Sequence, residues 1–372
     1  MITARMSKSD VAIVVGNAPL RSEIARHAMS FYRFADYRDA QLGLAGCRAH
    51  PPRIAVVSEE LAGGSGFDFV RMLRLDPKLS AIPVVMLVAN DDTATRDRIA
   101  RCGAQHYLAR PYARSTLIAA LSGVLNHRTE RSWQRFPARP RQALTHTLTL
   151  FNKLADGIAN GEPVLYRAVG DACEPLVEAV ANSDYRGILQ GVRDHDNYSY
   201  VHSVRVATYL ALFGVNLGLP KDEQILLASG GLLHDVGKMS IPHEVLNKPG
   251  RLSPAEFEVM KGHVPASLDY LRHCPDLPKG IFTIAAQHHE KLDGTGYPLG
   301  LTASKLNRLA RMASIIDVFS ALTDRRVYKP MMEAETALNI MSGEMGSHLD
   351  VKLLGLFRAM LLDATRPRAE VA

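Results

Sequence analysis

The chain has 372 residues, of which 47% are hydrophobic and 22% charged, a balance that excludes a disordered or fibrous protein. This length suits two domains and a connection better than a single core. The formal net charge of +6 is uneven, since residues 1–141 hold 21 Lys and Arg against 12 Asp and Glu, whereas the remainder holds 23 against 26.

The first 126 residues alternate between short apolar runs and helical patterns. Buried parallel strands are predicted at Val11–Val15, Ile54–Val57 and Val84–Val88, with weaker ones at Arg33–Asp36 and His106–Leu108. Helices are predicted at Leu20–Met29, Arg38–Arg48, Phe67–Leu75, Thr93–Cys102 and Ser115–Asn126. This order predicts a (βα)5 doubly wound parallel sheet, an α/β domain over residues 1–126.

Residues 127–141 are rich in Arg and Pro, with five arginines and one glutamate. No recognition motif supports a nucleic-acid-binding arm, so the stretch is interpreted as a solvated linker. From residue 142 to 372 no strand pattern occurs. Helical stretches separated by Pro, Gly and Asn predict an all-α domain there.

No feature of the sequence indicates a membrane or an oxidising compartment. No run of about 18 apolar residues occurs, and Asp10 interrupts the N-terminal segment that a signal peptide would need. The cysteines form no CxxC pair, which indicates reduced residues; they are Cys47, Cys102, Cys173 and Cys274. We therefore expect a cytoplasmic protein with neither membrane nor nucleic acid as a partner.

Five histidines and two aspartates of the second half lie in distinctive strings. The strings are YVHSVRVATYLA, GLLHDVGKMSIP, VMKGHV, AAQHHEKLDGTGYP and ARMASIIDVFSALTDRRVYK. Imidazole and carboxylate without thiolate form the ligand set of a hydrolytic site for Mn, Fe, Ni or Zn. Seven ligands exceed the need of one ion, which indicates a paired-metal site of the kind that clamps phosphoryl oxygens and activates water. The candidates are His202, His234, Asp235, His263, His288, His289 and Asp317.

Adjacent ligands constrain the geometry, because neighbouring residues on a helix point about 100° apart. His234 and Asp235 converge most easily if the aspartate bridges two metals, and His288–His289 suggests a helix end or kink. Taken singly, each piece has an ordinary reading: a His-Asp dipeptide is usually a surface or capping pair, and His202 could be a core histidine.

Together, the motifs HDVGK, HHEKLDGTGYP and IIDVFSALTDRRVYK resemble the HD-GYP subgroup of HD-domain phosphohydrolases over residues 190–332. The resemblance implies an all-helical, metal-dependent phosphodiesterase that hydrolyses cyclic di-GMP to linear pGpG, or onward to GMP. It implies that all seven candidates bind two or three divalent ions, with Asp235 as the bridge and Asp235 and Lys238 as the catalytic residues. Matching positions assign substrate contacts to Lys238, Gly294, Tyr297, Arg326 and Lys329.

Two positions depart from the subgroup. Tyr198 stands four residues before the first histidine, where some members have a carboxylate, and this favours two metals over three. Ser320 stands where Asp or Lys is frequent, and this would weaken substrate binding without removing the metals.

The N-terminal (βα)5 pattern resembles a response-regulator receiver without its phosphorylation chemistry. Ser58 replaces the phosphorylated aspartate, and Gly16 and Asn17 replace two acidic Mg²⁺ ligands. Val88 replaces the switch hydroxyl and Arg110 the lysine. We expect a structural or dimerising module, or a docking surface for a partner protein.

Two other functions stay open at this point. One is an HD hydrolase for another nucleotide, against which the GYP segment, residues 293–298, argues. The other is a receptor that binds cyclic di-GMP with little turnover, which Ser320 and the altered receiver favour.

Overall fold

A computed structural model describes residues 10–28, 32–248, 250–324 and 331–365. The chain divides into two compact units, residues 1–128 with 242–247 and residues 129–241 with 248–372. Within the described ranges, no helix has the length and apolar character needed to cross a membrane. All four cysteines are buried, and none of them is in a disulfide.

The first unit is built on a parallel sheet. Its strands are β1 Val11–Val14, β2 Phe34–Tyr37, β3 Ile54–Ser58, β4 Glu60–Leu61, β5 Gly64–Ser65, β6 Val84–Val88 and β7 His106–Ala109. Its main helices are α1 Ala18–Ala28, α2 Ala40–Ala49, α3 Gly66–Leu75, α4 Thr93–Cys102 and α5 Arg114–Leu125. Five parallel strands follow the order β2-β1-β3-β6-β7, the doubly wound topology that flavodoxins share with receiver domains.

The strand pattern follows from the sequence. The central strands β1, β3 and β6 are buried throughout, as their β-branched runs predict. The edge strands β2 and β7 are only partly buried, which explains their weaker sequence signal. The predicted (βα)5 fold is confirmed; the small antiparallel pair β4–β5 is additional.

The carboxyl ends of β1, β3 and β6 border a cavity of about 350 Å³, lined among others by Gly16, Ser58 and Arg110. The Ser58 hydroxyl donates to the Glu60 carbonyl oxygen over 2.5 Å. Arg98 pairs with the Glu59 carboxylate over 2.8 Å, and that carboxylate also accepts the Ala89 amide over 3.3 Å. The hydroxyl and the carboxylate that follow β3 are thus already hydrogen-bonded within the unit.

The second unit is helical, as predicted. The remaining helices of the chain are α6 His127–Ser132, α7 Ala138–Asn160, α8 Tyr166–Ala181, α9 Tyr185–Val192, α10 Tyr198–Asn216, α11 Lys221–Leu233, α12 His243–Leu246, α13 Pro254–Lys261, α14 His263–Arg272, α15 Lys279–Gln287, α16 Arg308–Thr323, α17 Ala334–Gly343 and α18 Val351–Thr365. Of these, α12 lies in the segment grouped with the first unit. Helix α10 is buried from Ser199 to Gly214, and α8, α9, α11 and α16 pack around it.

Residues 127–141 differ from the expected solvated linker. They contain α6, a 3₁₀ turn at Trp133–Arg135 and the start of α7. Trp133 is only 4% exposed, and its indole N–H donates to the Gly191 carbonyl oxygen over 2.9 Å. Trp133 and the nearby Phe136, whose ring lies against Gly191, therefore pack this part of the segment within the helical unit.

Candidate metal centre

Five helices bring the predicted ligands together at one buried centre. His202 lies in α10 and Asp317 in α16, His263 begins α14, and His234 and His288 directly follow the last residues of α11 and α15. Asp235 and His289 come one residue later, two residues past the two helix ends. These ends allow adjacent side chains to face the same centre, as the dipeptides indicated.

The ligand atoms form two groups that share one aspartate. The first group contains His202, His234, Asp235 and Asp317, and the second contains Asp235, His263, His288 and His289. Within each group the ligand atoms lie within 4.8 Å of one another. All seven candidates are therefore included, and only Asp235 belongs to both groups.

The two carboxylate oxygens of Asp235 face different groups. Oδ1 lies 3.1 Å from Nε2 of His263 and 3.6 Å from Nε2 of His288. Oδ2 lies 3.1 Å from Nε2 of His234 and 3.4 Å from Nε2 of His202. Each oxygen thus faces a different group of candidate ligands, an arrangement compatible with a carboxylate shared by two metal positions.

The backbone fixes the orientation of three imidazole rings. Nδ1 donates to a carbonyl oxygen one helical turn earlier, from His234 to Gly231 over 2.7 Å and from His263 to Met260 over 2.6 Å. Nδ1 of His288 lies 3.0 Å from the Ala285 carbonyl oxygen. Because a carbonyl oxygen only accepts, Nδ1 carries a hydrogen in each ring and Nε2 is the ring atom that faces the centre.

The same atoms are the ones that a cation would satisfy. Nε2 of these three histidines and Oδ1 of Asp235 are buried, and they have no hydrogen-bond partner in the described part of the chain. Buried polar atoms without partners are rare because each costs free energy. Four of them around a nitrogen and oxygen donor set fit divalent metal ions.

His202 is held by a carboxylate that the sequence analysis did not identify. Its Nδ1 lies 3.2 Å from Oδ2 of Asp324, and its Nε2 lies 2.9 Å from Oδ1 of Asp317. Asp324 is buried and forms an ion pair with Arg205, which also donates to the Thr323 hydroxyl over 2.8 Å. Asp324 therefore orients His202 from behind, as outer carboxylates do for metal-ligating histidines.

Lys238 lies in a 3₁₀ turn, Val236–Ser240, that is closely packed against α14. Its ammonium group donates to Oδ2 of Asp235. The turn is fixed by Gly237, whose amide donates to the Ser267 hydroxyl over 2.8 Å. A Cβ at Gly237 would lie 2.2 Å from the His263 carbonyl oxygen, so only glycine permits this approach.

Burial and neighbouring charges shift the pKa values of Asp235 and of the histidines around it in different directions. Burial alone would raise the pKa of Asp235, but His234 and Lys238 lower it well below its usual range. Burial lowers the pKa of His288 and of His289, so both rings are neutral and keep a lone pair. For His234, burial acts downward but the Asp235 charge prevails and raises the pKa to about 9. A cation at that carboxylate would oppose this last effect.

The GYP segment borders the centre through Tyr297. Its ring lies 4.6 Å from that of His289, centroid to centroid. The buried Glu290 accepts the amides of Leu299 and Leu301 over 2.7 and 2.8 Å, which closes the segment into a loop. Gly294 has a φ of 81°, in the left-handed region that favours glycine.

The remaining residues near the expected substrate site include two outside the described ranges and two that are buried. Arg326 and Lys329 lie outside the described residues. Ser320 is fully buried in α16, and its hydroxyl has no partner among the residues described. Glu290, like Asp324, was not singled out from the sequence, although it stands inside the HHEKLDGTGYP string.

Residues 188–353 match the HD domain family profile, and this range includes all seven candidate ligands. This part of the chain is therefore similar to HD domains. A cyclic di-GMP phosphodiesterase of Pseudomonas aeruginosa is 36% identical over 169 residues, covering 45% of this chain and 41% of that protein. The cyclic di-GMP phosphodiesterase response regulator RpfG of Xanthomonas campestris pv. campestris is 26% identical over 324 residues, covering 87% of this chain and 78% of that protein.

These alignments differ in extent. The chain spans less than half the length of the Pseudomonas relative, whereas the alignment to RpfG extends well beyond the HD domain. Among solved structures, an HDG"Y"P protein from Bdellovibrio bacteriovorus matches with a TM-score of 0.51 and 19% identity, covering 64% of this chain and 78% of that one. At this identity the structural match shows the helical fold alone.

Proposed function

We propose that the HD domain hydrolyses a phosphodiester bond of cyclic di-GMP, with linear pGpG as the product. The observation that carries the proposal is the position of Asp235, with one carboxylate oxygen toward each ligand group. The names of the two relatives point to the same substrate. The HD-GYP motifs favour this reading over a hydrolase for another nucleotide.

We further propose two divalent ions per chain, of Mn, Fe, Ni or Zn. When bound, such ions neutralise charge on a phosphoryl group and activate water. Asp235 would set the distance between them, while the pinned histidines hold each position. Lys238, beside the shared carboxylate, is placed to contact the phosphate, and the burial of the ligands excludes bulk water from the centre.

The metal count can be measured directly. Tyr198 begins α10, and its ring stacks beside His202 with centroids 6.0 Å apart. A phenol has a reference pKa of about 10 and stays protonated near neutral pH, so it replaces a carboxylate ligand poorly. Elemental analysis should give two tightly held ions per chain. Three would contradict the proposal.

A turnover assay tests the reaction. Purified protein loaded with Mn²⁺ or Fe²⁺ should convert cyclic di-GMP to pGpG, and a chelator should stop it. Asp235→Ala should abolish turnover because it removes the shared ligand of both groups. Lys238→Ala should retain the metals but slow the reaction.

The outcomes separate the alternatives. Undiminished hydrolysis by Asp235→Ala would mean that the site is assigned wrongly. Binding of cyclic di-GMP without turnover by the loaded wild type would instead indicate a receptor.

For the first unit we propose a contact with a partner protein or a second copy of the chain, without phosphorylation. Its sheet supplies a folded scaffold, and the position at the end of β3 holds Ser58 instead of a carboxylate.

A further inference from the structure

Helix α13 is ordered by local contacts but buries none of its residues. A capping box between Ser253 and Glu256 starts the helix, and Lys248 pairs with Glu256 over 2.5 Å. Phe257, in the middle of the helix, is 44% exposed. A single exposed apolar residue is ordinary on a protein surface, so the contacts of this ring must decide its meaning.

Phe257 is the outermost of three aromatic rings that begin at a candidate metal ligand. The ring of His289 lies 4.6 Å from that of Tyr297 at an angle of 31°. The ring of Tyr297 in turn lies 6.0 Å from that of Phe257, edge to face at 85°. The ammonium of Lys261 lies 5.4 Å from the Phe257 centroid. An aromatic surface with a cation beside it thus extends from the centre to solvent.

We propose that Phe257 is a binding residue that stacks on a guanine base of the dinucleotide. The inference rests on the proposed function, which puts a phosphate beside Lys238 and His289. A nucleotide carries its base one sugar away from that phosphate, so the base must lie on a surface next to the metal centre. The series of rings from Tyr297 to Phe257 is such a surface, and planar bases stack on aromatic side chains.

The chemistry of the ring limits what it can recognise. Phenylalanine offers no hydrogen bond, and every base has a π-face, so the contact supplies affinity without reading the base edge. Loss of the ring should therefore weaken cyclic di-GMP and cyclic di-AMP alike. The hydrolytic step should be spared, because Phe257 reaches the centre only through Tyr297 and His289.

The experiment compares Phe257→Ala with Phe257→Trp in the full-length, Mn²⁺-loaded protein. Val259→Ala is the matched control, because Val259 lies on the same helix and is also 44% exposed. We expect Phe257→Ala to raise KM for cyclic di-GMP roughly tenfold or more, with kcat and metal content near wild type. Phe257→Trp should restore KM. Hydrolysis of methyl p-nitrophenyl phosphate, which carries no base, should be unchanged in all variants.

The failure modes are distinct. Wild-type turnover with equal KM in Phe257→Ala and Val259→Ala overturns the stacking role and leaves the proposed function intact. Should the wild type bind the dinucleotide without hydrolysing it, a weaker Kd in Phe257→Ala still supports stacking, and an equal Kd refutes it. Neither binding nor turnover in the wild type overturns both proposals.

Discussion

Asp324 is placed behind His202, where it orients a ligand without being one. Asp324→Ala should lower the affinity for metal by roughly 10- to 100-fold, because the His202 ring loses the partner of its Nδ1. Titrating the metal-free variant with Mn²⁺ measures this. The variant should also be less stable, since Arg205 would keep a buried charge without its carboxylate.

Asp350→Ala is the control that distinguishes a lost orientation of the His202 ring from a general loss of stability. Asp350 pairs with Arg311 over 2.8 Å and belongs to neither ligand group. Its removal also takes a carboxylate from an arginine, yet it should leave the affinity for metal unchanged. Equal metal binding in Asp324→Ala and wild type would show that Asp324 does not position His202.

For single residues, the sequence predicts a role where the residue and its neighbours in the chain form a distinctive string. Each of the seven ligands stands in a distinctive string, so the set could be predicted. Asp324 stands in the string IIDVFSALTDRRVYK as well, but the string does not show that this carboxylate lies behind His202. Its role arises from the packing of α16 against α10, which no local pattern encodes.

The loop that carries Tyr297 is sensitive to a small substitution at Gly296. A Cβ at Gly296 would lie 2.4 Å from the backbone of Glu290, which is too close for any neighbouring atom to accept without movement. Gly296→Ala should therefore shift the loop and displace Tyr297 from the ring of His289. Overpacking of this kind costs about 1–3 kcal/mol of stability.

Steady-state kinetics and elemental analysis measure the effect of Gly296→Ala. KM for cyclic di-GMP should rise several-fold, while the metal content stays at the wild-type value because no ligand is in the loop tip. Gly343→Ala, in α17 with open space around the added Cβ, is the control and should behave as wild type. An unchanged KM in Gly296→Ala would mean that the position of Tyr297 does not matter for binding.

Strands and helices could be predicted where the pattern of apolar residues in the sequence was strong. The three central strands and the five predicted helices of the first unit follow apolar patterns and occur nearly where expected. The composition of segment 127–141 predicts a solvated linker because arginines dominate it, yet Trp133 and Pro140 of this segment are buried. The β4–β5 pair, with two residues in each strand, is too short for any period to appear.

Over the whole molecule, the two units differ in the chemical groups that they hold. In the described part of the chain, the groupings of His, Cys, Asp and Glu suited to a metal both lie in the helical unit. The described part of the first unit has the doubly wound sheet and contributes no residue to either grouping.

The first unit should consequently not accept phosphate from a small donor. Phosphorylation of a receiver needs a carboxylate nucleophile and a Mg²⁺ ion held by neighbouring acids. Ser58 is a neutral hydroxyl that already donates to Glu60, and the nearby Glu59 carboxylate is engaged by Arg98. Incubation with acetyl phosphate and Mg²⁺ should leave the intact mass unchanged, with an unaltered receiver domain as the positive control. A stable adduct mapped by peptide mass to residues 1–125 would show that this edge of the sheet still performs phosphoryl transfer.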